Sequence, residues 1–321
     1  MKPKLGIRGG FAAVLTSAFI AFGGAAQAEY PEKPVEMTVL FGGTANTIAQ
    51  LLSELMSDSL GQPVVPVSRS GGGGAVGYTH VVSTEPDGYS IVWNSNSIST
   101  THHTGKVSFD YTAFTPIARV STEIPALGVN ASTGWKTLAD LAEAAKASDK
   151  KLNVGISGKG SFTHLTSAAL FDAMGIGDKV TYISYDDGKA PIELLAGRID
   201  AAIQWPGQFM SYVEAGELSV LAVTGEERVS VLPDVPTAME QGVDVNITMW
   251  RGLAAPAGTP DDVVAKLQAA AEAAVASARF QEAAVNIGFS PAYMGASEFG
   301  ALIAKEDAFY GELLQRLGMV Q

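Results

Sequence analysis

Ser68 to Gly77 reads SRSGGGGAVG, and within it Gly72-x-Gly74-x-x-Gly77 has the spacing of a turn that cradles a pyrophosphate. A dinucleotide site also needs an acidic residue at a strand end about 20 positions on. Asp87 stands near that distance, but Pro86-Asp87-Gly88 spells a turn, so the nucleotide reading lacks its partner. Gly155-Ile156-Ser157-Gly158-Lys159 approaches two other motifs. A serine-nucleophile elbow requires Gly where Lys159 stands, and a Walker loop requires Ser or Thr where Gly160 follows the lysine. The histidines are His80, His102, His103 and His164, none at HxxxH spacing, and they read as solvated or loop residues. No metal site, cofactor or catalytic residue is expected from these motifs, and the chain does not read as an enzyme.

The elements that carry these residues recur in two units. Val35 to Phe41 is strand-like, Gly42 to Asn46 is loop, and Ile48, Leu51, Leu52, Leu55 and Met56 then repeat on a helical face. About a hundred residues later Leu152 to Ser157, the loop GKGSFT and a helix through Leu165, Ala168 and Ala169 repeat the order. Each unit is followed by a further strand, as in a βαβ crossover. Thr259 and Pro260 open a helix with Asp261 and Asp262 in its first turn, and Ser297 to Gly318 reads as a terminal amphipathic helix. The chain is α/β throughout, without a solenoid period.

Composition sets the compartment. Lys2, Lys4 and Arg8, the apolar run Phe11 to Phe22 and the small residues Ala26-Gln27-Ala28 have the order of a cleaved signal peptide over residues 1–28. That run is shorter than the roughly 20 residues a membrane span needs. With no cysteine there is neither a lipid acceptor nor a disulfide, so an unanchored protein in the periplasm is expected, stabilised by its core alone. A formal charge of -12 argues against nucleic acid as a partner. It leaves anions open, because local amides bind them against an unfavourable net charge.

The two helix-opening loops, FGGTANT and GISGKGSFT, are the candidate binding elements. Each places small residues before a helix, whose first amides lack acceptors and whose dipole favours an anion. Thr44, Asn46, Ser157, Ser161 and Thr163 add hydroxyl or amide donors.

The phrases YPEKPVEMTVLF, LGQPVVPVSRSGGGGAVG, PDGYSIVW, LNVGISGKGSFTHL, LLAGRIDAAI, AGELSVLAVT, LPDVPT and APAGTP follow one another in an order that resembles the Bug-type solute-binding proteins of tripartite tricarboxylate transporters. The resemblance implies a two-lobed type II periplasmic binding protein, a Venus flytrap with its ligand cleft between the lobes. Lobe one would hold residues 29–124 plus 250–321, and lobe two residues 125–249. It implies capture of a small organic carboxylate, held largely by backbone amides and waters, and delivery to a membrane permease, with the protein expected as a monomer.

The family's loops fall here on Phe41, Gly42, Gly43, Thr44, Ala45 and Asn46, and on Ser157, Gly158, Gly160, Ser161 and Thr163. The first loop is two residues shorter than the family's and carries Asn46 in place of an acid, and the second crossover reads IQWPGQF with Gln204 and Trp205. A less negative pocket with a flat indole suggests an anion with an apolar or aromatic body. Asn94, Ser95, Asn96 and Ser97, and Tyr185 with Asp186 and Asp187, are further candidate wall residues. Arg251 either pairs with a ligand carboxylate or is a surface charge beside a hinge. Two other readings stand beside this one: a clamshell that docks a sensor kinase, and a secreted hydrolase using Ser157.

Overall fold

The structure is a computed structural model that describes Met1, residues 30–185 and residues 189–320. The leader expected over residues 1–28 lies, apart from Met1, outside the described residues, as do Asp186 and Asp187. No helix among the described residues is long and apolar enough to cross a membrane.

In chain order the first stretch runs β1 (Val35–Val39), α1 (Thr44–Leu60), β2 (Val64–Ser68), α2 (Ala75–Val82), β3 (Ser90–Ser95), α3 (Ser97–His103) and β4 (Phe114–Glu123). The middle stretch runs β5 (Ala126–Asn130), α4 (Leu138–Ala147), β6 (Leu152–Ile156), α5 (Phe162–Ala173), β7 (Val180–Ser184), α6 (Ala190–Leu195), β8 (Ala201–Gln204), α7 (Met210–Glu214) and β9 (Leu218–Val223). The last stretch is β10 (Met249–Pro256), α8 (Asp261–Ala276), α9 (Ala278–Ile287), β11 (Ser290–Gly295) and α10 (Ala296–Arg316).

Two sheets form, ordered β11-β4-β10-β3-β1-β2 and β7-β6-β8-β5-β9. In each, a central strand pairs in parallel with two neighbours: β1 with β2 and β3, and β6 with β7 and β8. An antiparallel strand then inserts beside the third, β10 in one sheet and β5 in the other. These mixed sheets and their helices make the two-lobed α/β fold expected from the sequence. The chain passes between sheets twice, after β4 and before β10.

Each lobe has its own apolar core. In the first, Ile48, Leu52 and Met56 of α1 pack with Met37 and Val39 of β1 and with Leu267 of α8. In the second, Leu165 and Phe171 of α5 pack with Val154 of β6 and Leu127 of β5. The end of α10 joins this second core through Tyr310, Leu313 and Leu314, so the terminal helix braces both lobes.

Two local expectations are corrected, and the glycine-rich stretch finds its place. All four histidines lie on helices rather than in loops, and His164 is buried. The hydroxyl of Thr259 donates to the Pro256 carbonyl at 2.8 Å instead of capping α8. Val76 points to solvent, while Gly77 is what lets α2 sit on the end of β1: a Cβ there would lie 2.4 Å from Leu40 Cδ2. The glycine run thus packs a helix closely against a strand, which only the lack of a side chain permits.

Candidate functional site

The segments that leave the C-terminal ends of β1, β3, β6 and β8 line one cleft between the lobes, which encloses about 50 Å³. This is where open α/β sheets place ligands, because helix N-termini and loops converge there.

From lobe one, Phe41, Gly42, Gly43, Thr44 and Ala45 form one wall. Gly43 is the N-cap of α1 with φ 60° and ψ −140°, and no side chain caps the helix. The Asn46 amide donates to the Gly43 carbonyl at 3.1 Å, which leaves the Thr44 and Ala45 amides without an acceptor in the helix, at the positive end of its dipole. Gly73, Ser97 and Thr100 complete this side. Ser97 is held at 2.8 Å from the Tyr78 hydroxyl and 2.7 Å from Ser95 Oγ.

From lobe two, Ser157, Ser161, Phe162, Thr163, Trp205 and Gln208 form the facing wall. Here the polar groups are largely engaged with one another. The Ser157 amide donates to Thr163 Oγ1 at 2.8 Å, and the His164 amide donates to Ser161 Oγ at 3.3 Å as the cap of α5. The Gly160 amide donates to His164 Nδ1 at 3.0 Å. His164 is therefore an acceptor, and burial, with Lys159 and Lys106 nearby, brings its pKa down to about 4. Ser157 Oγ receives a bond from Gln204 Nε2 at 3.2 Å. An amide in that place gives the serine no base, which is what a nucleophile would require.

Arg251 and Met249, on the strand that re-enters the first sheet, line the same cavity. The Arg251 side chain is 3 % exposed, so it is not a surface charge, and its Nε donates to Glu123 Oε2 at 2.5 Å. Glu123 ends the outgoing strand β4, and its own side chain is 1 % exposed. The ion pair therefore joins the two chain crossings. Two atoms of the pair, Arg251 Nη1 and Glu123 Oε1, are buried without a hydrogen-bond partner among the described residues. The guanidinium also lies 5.9 Å from the ring centres of both Phe41 and Trp205. Phe162 stacks beside Trp205 at 6.2 Å with 17° between the rings. Flat apolar faces thus flank a donor whose charge is already balanced.

Eleven of the residues singled out from sequence meet at this cavity: Phe41 to Ala45, Ser97, Ser157, Ser161, Thr163, Trp205 and Arg251. The others lie elsewhere. Asn46 is one turn into α1, Asn94 binds the Tyr78 hydroxyl at 2.7 Å inside the core, and Ser95 is fully buried. Gln204 supports Ser157 from behind, and Tyr185 packs with Ala190 and Ile199. Gly158 and Gly160 belong to the outer rim, Gly158 in a second chamber that shares Phe41, Gly42, Gly73, Ser157 and Ser161 with the first. Sequence reading missed Gly73, Thr100, Phe162, Gln208 and Met249. Thr100 carried a signal, since it lies on the helix that Ser97 opens just after a strand, in the same way as the two chosen loops.

The sequence model for the tripartite tricarboxylate transporter family receptor matches residues 48–319. A protein of Agrobacterium vitis from the family UPF0065 is 32% identical over 96% of this chain and 89% of its own length. BugT of Bordetella pertussis is 28% identical over 90% of each. Among solved structures, a TctC solute-binding protein from Polaromonas superposes with TM-score 0.74 at 31% identity, covering 90% of this chain and all of its own. MatC of Rhodopseudomonas palustris with bound malate gives 0.78 at 25% identity over 89% and 100%, and a second protein of that organism with adipate gives 0.83 at 26% over 91% and 99%.

Proposed function

This chain belongs to the family of tripartite tricarboxylate transporter receptors, which are periplasmic solute-binding proteins, and on that premise we propose that it captures a small organic carboxylate between its lobes and hands it to a membrane permease of the tripartite tricarboxylate type. Capture involves no bond-breaking. An open form takes the anion at one lobe, closure adds the other lobe's donors, and differential affinity shifts the population toward closed. The lobes are taken as residues 29–124 plus 250–321 and residues 125–249, and residues 1–28 as the export signal.

One observation carries the reading: a helix N-terminus with no side-chain cap faces a second loop across a cavity that contains a buried arginine. A carboxylate placed between the loops takes the unpaired amides of α1 and the hydroxyls of Ser157, Ser161 and Thr163. The neighbours with malate and adipate hold aliphatic diacids. Phe41, Phe162, Trp205 and Met249 instead line this cleft with apolar faces suited to a flat body, with Arg251 Nη1 as a donor for a neutral acceptor on it.

A thermal-shift screen over benzoate, phenylacetate, malate, adipate and citrate tests both levels. A ligand at a hundred times its Kd adds about 2.7 kcal/mol to stability. The aromatic monocarboxylates are expected to raise Tm most, with compaction in small-angle scattering. A response to citrate alone overturns the aromatic preference, and no response to any acid overturns the carboxylate reading.

A further inference from the structure

Lys106 lies in neither loop, yet its side chain spans the cleft mouth. Its Nζ donates to the Lys159 carbonyl of the opposite lobe at 3.3 Å. Gly73 and Gly160, one from each lobe, face it, and a Cβ at either position would stand 3.1 or 3.2 Å from Nζ. Both glycines have positive φ, 72° and 77°, so side chains are disfavoured there on conformation as well as space. The ammonium thus occupies a backbone slot made by the two lobes together. It borders the outer chamber, whose other walls include Ser68, Ser70 and the amides of Gly71 to Gly73.

The partners of this lysine contrast with those of five arginines, whereas Arg119, like Lys106, donates to a backbone carbonyl, that of Ala292 at 2.8 Å. Arg69, Arg198, Arg228, Arg251 and Arg279 each pair with a glutamate. Among the described residues no carboxylate pairs with Lys106, and its one hydrogen bond goes to a neutral carbonyl. Lys106 stays exposed at the cleft mouth, and the partial loss of water around it there lowers its pKa. The same positive field, with Lys159, acts on His164 behind the loop.

Resting on the reading of the cleft as a carboxylate site, we propose that Lys106 is its charge-selecting residue: the ammonium is the counter-ion of the ligand's carboxylate and joins the two lobes over it. Arg251 cannot take that part, because Glu123 already balances its charge. Lys106 is released to the anion by exchanging a carbonyl for a charged acceptor, which is the stronger bond. The site therefore prefers anions to isosteric neutral molecules, and the ligand's charged end lies toward the cleft mouth with its body toward Trp205.

Titration calorimetry of the full chain with benzoate, phenylacetate, malate and adipate, at two salt concentrations, tests this. For whichever acid binds, Lys106→Met is expected to weaken affinity about tenfold or more and to flatten its salt dependence. Lys106→Arg keeps the charge and is expected to recover most of the loss, and the amide of the same acid should bind wild type and Lys106→Met alike. Equal affinity and equal salt dependence in wild type and Lys106→Met, with both proteins melting normally, overturns the role of Lys106 and leaves the carboxylate site standing. Absence of binding by the wild type to all four acids instead overturns the underlying reading.

Discussion

The two loops that face each other across the cleft look equivalent in sequence and are not equivalent in structure. The loop before α1 is capped by a glycine at φ 60°, and no side chain caps the amides of its helix. The loop before α5 closes on itself: Ser161 caps the helix, Thr163 holds the Ser157 amide, and His164 takes the Gly160 amide. The Thr44 and Ala45 amides beyond the first loop are open donors, whereas the second loop is a rigid frame. An anion therefore gains its amide bonds from lobe one and its shape constraint from lobe two.

The largest expected effect comes from breaking the open loop. Gly43→Val places a branched side chain at a left-handed φ, and about 1–3 kcal/mol of strain accompanies such a conformation. The first turn of α1 should re-aim, with carboxylate affinity falling by about tenfold or more in calorimetry and Tm changing modestly. Unchanged affinity would mean that lobe one does not supply the main donors.

Thr163→Val probes the framed loop and should reverse that pattern. It removes the acceptor of the Ser157 amide, and an orphaned part-buried donor costs about 1–3 kcal/mol of stability. Tm is expected to fall with only a severalfold loss of affinity. A larger loss of affinity than Gly43→Val would erase the distinction between the loops.

The smallest effects are pH slopes, and they separate the framed loop from the hinge. His164 has a pKa of about 4 against an ordinary 6.5, so its contribution to stability is complete above pH 6.5 and is lost as pH falls through 4. Glu306 on α10 accepts from Trp250 Nε1 at 2.7 Å and Asn96 Nδ2 at 2.5 Å, and burial pushes its carboxyl up to about 7 from 4.5. Its contribution is therefore complete below pH 4.5 and is lost as pH rises through 7. Melting curves between pH 4 and 8 should lose their acid slope in His164→Gln and their alkaline slope in Glu306→Gln. A slope that survives its own substitution assigns it to another group.

Short-range features were legible in the sequence. The two strand-loop-helix units and the loops at Phe41 to Ala45 and at Ser157 to Thr163 follow from local patterns, and the cleft-side place of Trp205 from the family resemblance. Glu123 was not legible as the partner of Arg251, because 128 residues separate them and only the pairing of β10 with β4 brings them together. Asn94 and Ser95 misled for a related reason. They end a strand pointing at the cleft, but β3 is buried on both faces, and Tyr78 claims the amide. Strand neighbours settle which polar residues reach a cavity, and one chain's local pattern does not contain them.

The sheet order also has a consequence for how the molecule is assembled. All strands of the five-stranded sheet lie within residues 126–223, one continuous stretch. The six-stranded sheet keeps a gap between β3 and β4 that only β10, beginning at Met249, can fill. A chain delivered N-terminus first can thus finish its second lobe before its first. Until the last quarter of the polypeptide arrives, β3 and β4 have exposed edges of the kind that pair with other chains. The earliest-delivered lobe is the one that most needs protection during export.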